Sequence, residues 1–306
     1  MSSIDRALTI REGAAAATAG ADTETRAPSS AALNRFSREE PSVDVPHPAP
    51  SARNDDTSQP ILKDGSRLKT IRPPRSRAVD HGLRARLVNT TSNAVSVEQY
   101  RRLAAVLHEA QEQSQLKSVM LTSALPGDGK TLTAANLALT LSESYGRRVL
   151  LIDADLRLPT LHTVLGISND AGLSEALRGD PLACVEFAPG LAVLTAGKPG
   201  PTPLAGLSSN RMRHVVHECE ERFDWVLIDT SPVGVLPDAQ VIGRLVDAVL
   251  LVIGAGSTPA ESVEHAIAQL GGADSIFGVV LNRVEESRMP QANYSSYYDQ
   301  YRPAQE

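Results

Sequence analysis

The chain reads as an α/β protein, a mostly parallel β-sheet flanked by helices, and three observations predict it. Short unbroken apolar runs recur at 149–152, 225–228 and 248–253, as expected of strands covered on both faces. Stretches with helical apolar spacing lie between the runs, at 131–144, 210–221 and 259–270, and strands that alternate with helices build parallel sheets. Acids stand at the ends of several runs, at the carboxyl edge where such sheets bind ligands.

Residues 1–92 stand apart as a first segment. They are rich in Ala, Ser and Pro, hold Phe36 as their one Phe, Tyr or Trp, and sustain neither a period of 2 nor one of 3.6. Such a composition buries too little apolar surface to offset the entropy of ordering, so this segment is expected to be a disordered tail. Within it, residues 63–86 carry eight Lys/Arg against Asp64 and Asp80. That basic run suits an anionic membrane face or an acidic partner, and equally a solvated linker. A formal net charge of -6 argues against a nucleic-acid binder. No apolar run reaches the roughly 18 residues of a transmembrane helix. The start, Met1 to Arg6, lacks the basic and apolar stretches of a signal peptide. Cys184 and Cys219 have neither metal-ligand nor redox-pair spacing. A cytoplasmic chain with reduced thiols is the expectation.

The body is expected to span 93–285. Ser96 followed by Gln99 resembles a capping box, and Val97, Tyr100, Leu103, Ala104 and Leu107 make an apolar stripe at helical spacing. A strand at 117–122 follows. The helix at 131–144 sets Ala134, Leu137, Ala138 and Leu141 on one side and stops near Gly146. Further strands fall at 191–195 and 277–281, and a further helix at 172–178. Asp238 is placed to cap a short helix at 239–245. After Val284 the chain turns polar. Four of its six tyrosines, Tyr294, Tyr297, Tyr298 and Tyr301, gather in this last segment, 286–306, without the spacing or aliphatic neighbours of buried tyrosines.

Residues 123–131, Ser-Ala-Leu-Pro-Gly-Asp-Gly-Lys-Thr, carry the chemistry. A strand that feeds a turn closing on Gly-Lys-Thr is a phosphate cradle, the mark of a P-loop NTPase. Gly127 and Gly129 let the backbone wrap an anion, so that the loop Pro126–Leu132, with the N–H groups from Gly127 onward, and the next helix's N-terminus face it. Lys130 is expected to reach the β- and γ-phosphates of ATP, and the Thr131 hydroxyl to ligand Mg²⁺. Ala124 stands where the usual pattern has its first Gly.

Two strand ends complete the site. Residues 150–157 read Leu-Leu-Ile-Asp-Ala-Asp-Leu-Arg and residues 225–230 read Trp-Val-Leu-Ile-Asp-Thr. Asp229 is the natural Mg²⁺-side acid, and Asp153 joins it near the metal. Of Asp153 and Asp155, one orients metal-bound water while the other accepts a proton from an attacking hydroxyl. Arg157 either stabilises charge on a transferring phosphoryl group or pairs with Asp155.

The set formed by 122–131, 151–159 and 228–232 resembles the bacterial tyrosine kinases, cytoplasmic autokinases of capsular and exopolysaccharide systems built on the fold of the septum-site and partition ATPases. The resemblance covers about residues 96–301. It implies ATP and Mg²⁺ as cofactors, Lys130, Asp153, Asp155 and Arg157 in catalysis, and Asn282 looking toward the nucleotide base. It also implies phosphorylation of Tyr294, Tyr297, Tyr298 and Tyr301 in trans within a homo-oligomer. A separate membrane protein of the chain-length-determinant type is the implied partner and a peripheral attachment to the membrane its consequence. The family's Glu-x-x-Arg-x-x-Arg stretch on the first helix, which joins subunits into rings, reads Glu98 to Ala104 here and lacks its last Arg. A regulatory ATPase that acts as a nucleotide-dependent assembly switch is the alternative.

Overall fold

The computed structural model describes Leu87 and residues 94–284. Most of the N-terminal segment, with its basic run, and the tyrosine cluster at 294–301 lie outside the described residues. Helix α1 spans Ala94–Ser114, β1 Ser118–Ser123, α2 Lys130–Tyr145, β2 Val149–Asp153, α3 Leu161–Leu165 and α4 Leu173–Leu177. Then come β3 Val185–Ala188, β4 Leu191–Leu194, α5 Pro203–Leu207, α6 Asn210–Arg222 and β5 Trp225–Asp229. Helix α7 Asp238–Gly243, β6 Ala248–Gly254, α8 Ala260–Gln269 and β7 Gly278–Asn282 finish the body. No described helix is long and apolar enough to cross a membrane.

The strands form one sheet in the order β3-β4-β2-β5-β1-β6-β7. Every pairing is parallel except β3 with β4. The central runs are apolar at every position because alternate side chains enter two different cores. Val119, Leu121, Val149, Leu151 and Leu227 face α1, α2 and α3, whereas Met120, Leu150, Ile152, Val226 and Ile228 face α4 to α8. The result is a three-layer sandwich whose buried sheet fixes the strand ends that carry the acids.

Local chemistry sets the helix limits. Helix α2 ends at Gly146, whose left-handed backbone lets its N–H reach the Leu141 carbonyl. Ser209 caps α6 by accepting the Met212 amide at 3.3 Å. Two expected limits shift. Helix α1 already runs at Ser96, so Ser96 and Gln99 lie inside its first turns rather than forming a cap. Asp238 is the first residue of α7, and its carboxylate goes to Arg157 instead of capping. Strand β3 and helices α3 and α5 are additions to the elements read from sequence. Leu87 is buried in the core cluster on the α1–α2 side of the sheet.

Candidate nucleotide and metal site

The site grows from the carboxyl ends of three neighbouring strands. Strand β1 runs into the loop at 124–129 and then directly into α2. The turn needs positive φ at Gly127 (89°) and Gly129 (97°), conformations that cost little only for glycine. Gly129 also sits so close to Asn282 that an added Cβ would collide with the amide group. Asn282, at the end of β7, donates to the Asp128 carbonyl at 2.8 Å and so braces the loop from outside. The Asp128 carboxylate locks it from within, accepting the Leu125 amide at 3.0 Å and the Thr258 hydroxyl at 2.6 Å. Pro126 and Gly127 are exposed at the loop's crest, and Leu132 lies half-buried one step into α2. The arrangement presents the N-terminal amides of α2, and the positive end of its dipole, to an anion.

Strands β2 and β5 are neighbours, with Asp153 level with Asp229. Both carboxylates are fully buried and Asp155 nearly so. Lys130 bends back over them: its Nζ lies 3.3 Å from Asp155 Oδ2, 3.6 Å from Asp229 Oδ1 and 3.3 Å from Thr131 Oγ1. Asp153 accepts the amides of Asp155 and Leu161, each at 3.2 Å. Asp155 accepts the Leu158 amide at 3.2 Å through its other oxygen. Thr131 Oγ1 stands 3.3 Å from Thr160 Oγ1. Neither oxygen of Asp229 has a hydrogen-bond partner although both are buried.

Three carboxylates thus converge on one ammonium. Burial disfavours the Lys130 charge, but Asp229 and Asp155 outweigh it and hold the lysine above its usual pKa. Burial raises Asp229, with Lys130 pulling the other way. Burial and the Asp229 charge together raise Asp153. A buried cluster short of positive charge, with two unbonded carboxylate oxygens beside a threonine hydroxyl, fits a small hard cation that takes oxygen ligands. Thr131, Asp153 and Asp229 would hold it.

The loop residues, Lys130, Thr131, Asp153, Asp155 and Asp229 therefore come together as the sequence suggests. Asn282 joins them through the loop backbone. Arg157 is adjacent but its guanidinium is engaged with Asp238, not Asp155, at 2.7 Å. The sequence marks Asp238 as a third, weaker strand-end acid, and it offers no role at the site for Thr160 or Thr258. The contacts of Thr160, Asp238 and Thr258 span 29, 81 and 130 residues, and no local pattern encodes such separations. The thiols of Cys184 and Cys219 are buried, which pushes both well above the usual cysteine range and leaves them poor nucleophiles.

Fold and site together define a P-loop nucleotide-binding protein. Residues 119–305 match the family model described as the CobQ/CobB/MinD/ParA nucleotide binding domain. The chain is 36% identical over 217 residues to tyrosine-protein kinase YwqD of Bacillus subtilis, spanning 69% of this chain and 91% of that one. It is 37% identical over 194 residues to tyrosine-protein kinase etk of Escherichia coli, where the match covers 62% of this chain and 27% of the longer relative. The solved kinase domain of Escherichia coli ETK superposes with a TM-score of 0.57 at 35% identity, covering 62% of this chain and 77% of that domain. The chain belongs to the bacterial tyrosine kinase family.

Proposed function

We propose that the protein is an ATP- and Mg²⁺-dependent tyrosine autokinase that phosphorylates Tyr294, Tyr297, Tyr298 and Tyr301 of a second copy. The observation that carries this reading is Lys130, held by Asp155 and Asp229 at the mouth of a phosphate loop, in a chain that spans nearly all of a relative named a tyrosine-protein kinase. Mg²⁺ supplies charge neutralisation at the phosphates when bound. Thr131, Asp153 and Asp229 would hold it. Lys130 leaves its carboxylates for the phosphate oxygens, and the α2 amides orient them. Asp155, the least buried of the three acids, accepts the proton of the attacking tyrosine hydroxyl. The tyrosine oxygen forms a bond to the γ-phosphorus as the bond to the β,γ-bridging oxygen breaks and ADP leaves. Placement and electrostatic stabilisation account for most of the rate.

The family resemblance suggests a role in regulating exopolysaccharide or capsule polymerisation and export, with a separate membrane activator as partner. The test is direct: Lys130→Met should abolish phosphotyrosine on purified protein incubated with ATP and Mg²⁺. Labelling equal to the parent sinks the reading.

A second reading, a regulatory ATPase without transfer to tyrosine, draws on Ala104. This residue occupies the position of the family's last ring arginine and is completely buried. Intact mass after incubation with ATP separates the two, since the kinase gains phosphate within 294–301 and the ATPase stays unmodified while releasing phosphate.

A further inference from the structure

Arg157 and Asp238 pair with each other and join the loop that follows β2 to the first residue of α7. Arg157 Nε lies 2.7 Å from Asp238 Oδ2, and Nη2 lies 3.2 Å from Oδ1, a two-point fork. The Asp238 side chain is 1% exposed against 37% for Arg157. A carboxylate so deeply buried depends on its partner. Turning the guanidinium toward a substrate phosphate would strand that charge.

The position of the fork follows from the topology. Beyond Asp153 and Asp229, which are level on adjacent strands, the chain leaves β2 through residues 154–160 and β5 through residues 230–237. The first loop carries Asp155, which pairs with Lys130, and Thr160, which faces Thr131. The second ends where α7 seats Ala239 and Ile242 fully in the core. The fork therefore ties the loop bearing Asp155 and Thr160 to a helix that the core holds still. Ala154 and Leu156 anchor the start of the loop in the core, whereas its outer half, with Leu158 75% exposed and Thr160 exposed, has little packing of its own besides the fork.

We propose that Arg157 is a positioning residue: its fork with Asp238 pins the 154–160 loop so that Asp155 and Thr160 meet Lys130 and Thr131 at the metal side of the site. It does not touch the transferred phosphoryl group. The proposal rests on the reading of this cluster as a Mg²⁺–nucleotide site.

The experiment compares Arg157→Gln, Asp238→Asn and the double variant in binding a fluorescent ADP analogue, with and without Mg²⁺. Each single change should reduce the Mg²⁺-dependent gain in affinity by about tenfold. The double change should lose no more than either single, because the two groups act as one unit. Mg²⁺-free affinity should stay at the parent's value. Arg157→Lys, which keeps the charge but not the fork, should recover only part of the loss. Amide exchange across 154–160 in nucleotide-free protein should speed up in Arg157→Gln, Asp238→Asn and the double variant while exchange in the central strands stays slow. The proposal is overturned if Arg157→Gln weakens Mg²⁺-free binding while Asp238→Asn behaves as the parent, since Arg157 would then touch phosphate itself. Additive losses, or unchanged exchange in the loop, overturn it too. A parent that gains nothing from Mg²⁺ would instead defeat the reading of the site, and loop exchange would still judge the fork.

Discussion

Asp153 is completely buried, and burial reinforced by the Asp229 charge lifts its carboxyl from 3.8 to about 8, against the opposing pull of the Leu161 amide and Lys130. An acid whose pKa is higher folded than unfolded binds its proton more tightly in the native state. The stability it contributes is complete below the unfolded value of 3.8 and is lost as pH rises through about 8. Asp153→Asn removes the charge and keeps the shape, at the cost of one of the two backbone amide hydrogen bonds that the carboxylate accepts. In urea unfolding without nucleotide, the variant should therefore exceed the parent at pH 8 to 9 by on the order of 2 kcal/mol and show a flatter pH profile. A variant less stable than the parent at pH 8 would contradict this account. The same substitution should abolish the Mg²⁺-dependent part of nucleotide affinity, which in the parent should rise with pH as metal displaces the proton. These residues were legible in the sequence because loop and strand-end motifs encode them locally. The partner of Arg157 was not, because it depends on how two loops fold toward each other across 81 residues.

Helix α1 shows how far an element's pattern carries. Its stripe of Val97, Tyr100, Leu103, Ala104 and Leu107 predicts a buried face, and Ala104 and Leu107 are indeed fully enclosed with the α2 face of the sheet. The same geometry explains a departure from the family's ring motif. An arginine at 104 would have to place a guanidinium where only a methyl group fits, while Glu98 and Arg102 pair along the helix at 3.7 Å. Ala104→Arg should thus destabilise the protein by about 3 kcal/mol or more, through overpacking and a buried charge. Urea unfolding measures that loss. A variant of parental stability that also forms larger assemblies in light scattering would show that α1 presents a different face. The elements that sequence did not reveal are short and weakly patterned. Strand β3 has four half-exposed or exposed positions at an antiparallel edge, and α3 and α5 have five residues each. Such segments take their structure from neighbours rather than from periodicity.

Across the whole molecule, the candidate site occupies one stretch of the chain. The phosphate loop and all three acids lie within 123–229, on strands buried from both sides, so a chain lacking the basic run at 63–86 should keep the chemistry of the site. At about 1 kcal/mol for each basic residue close to anionic lipid, the eight Lys/Arg and two Asp of that run have the charge to serve as a membrane tether, and we propose that role for it. Leu87, just past the run, belongs to the buried cluster on the α1–α2 side of the sheet. A chain beginning at residue 86 should keep ATP-dependent labelling and thermal stability but no longer sediment with vesicles rich in anionic lipid. A chain beginning at residue 93 should lose the vesicles too, and in addition about 1.5–3 kcal/mol of stability for the missing leucine. Sedimentation and urea unfolding on the two truncations measure both effects. If the chain from residue 86 still sediments with the full chain's efficiency, the basic run is a solvated linker. If the two truncations are equally stable, the Leu87 contact contributes nothing and the body begins at α1.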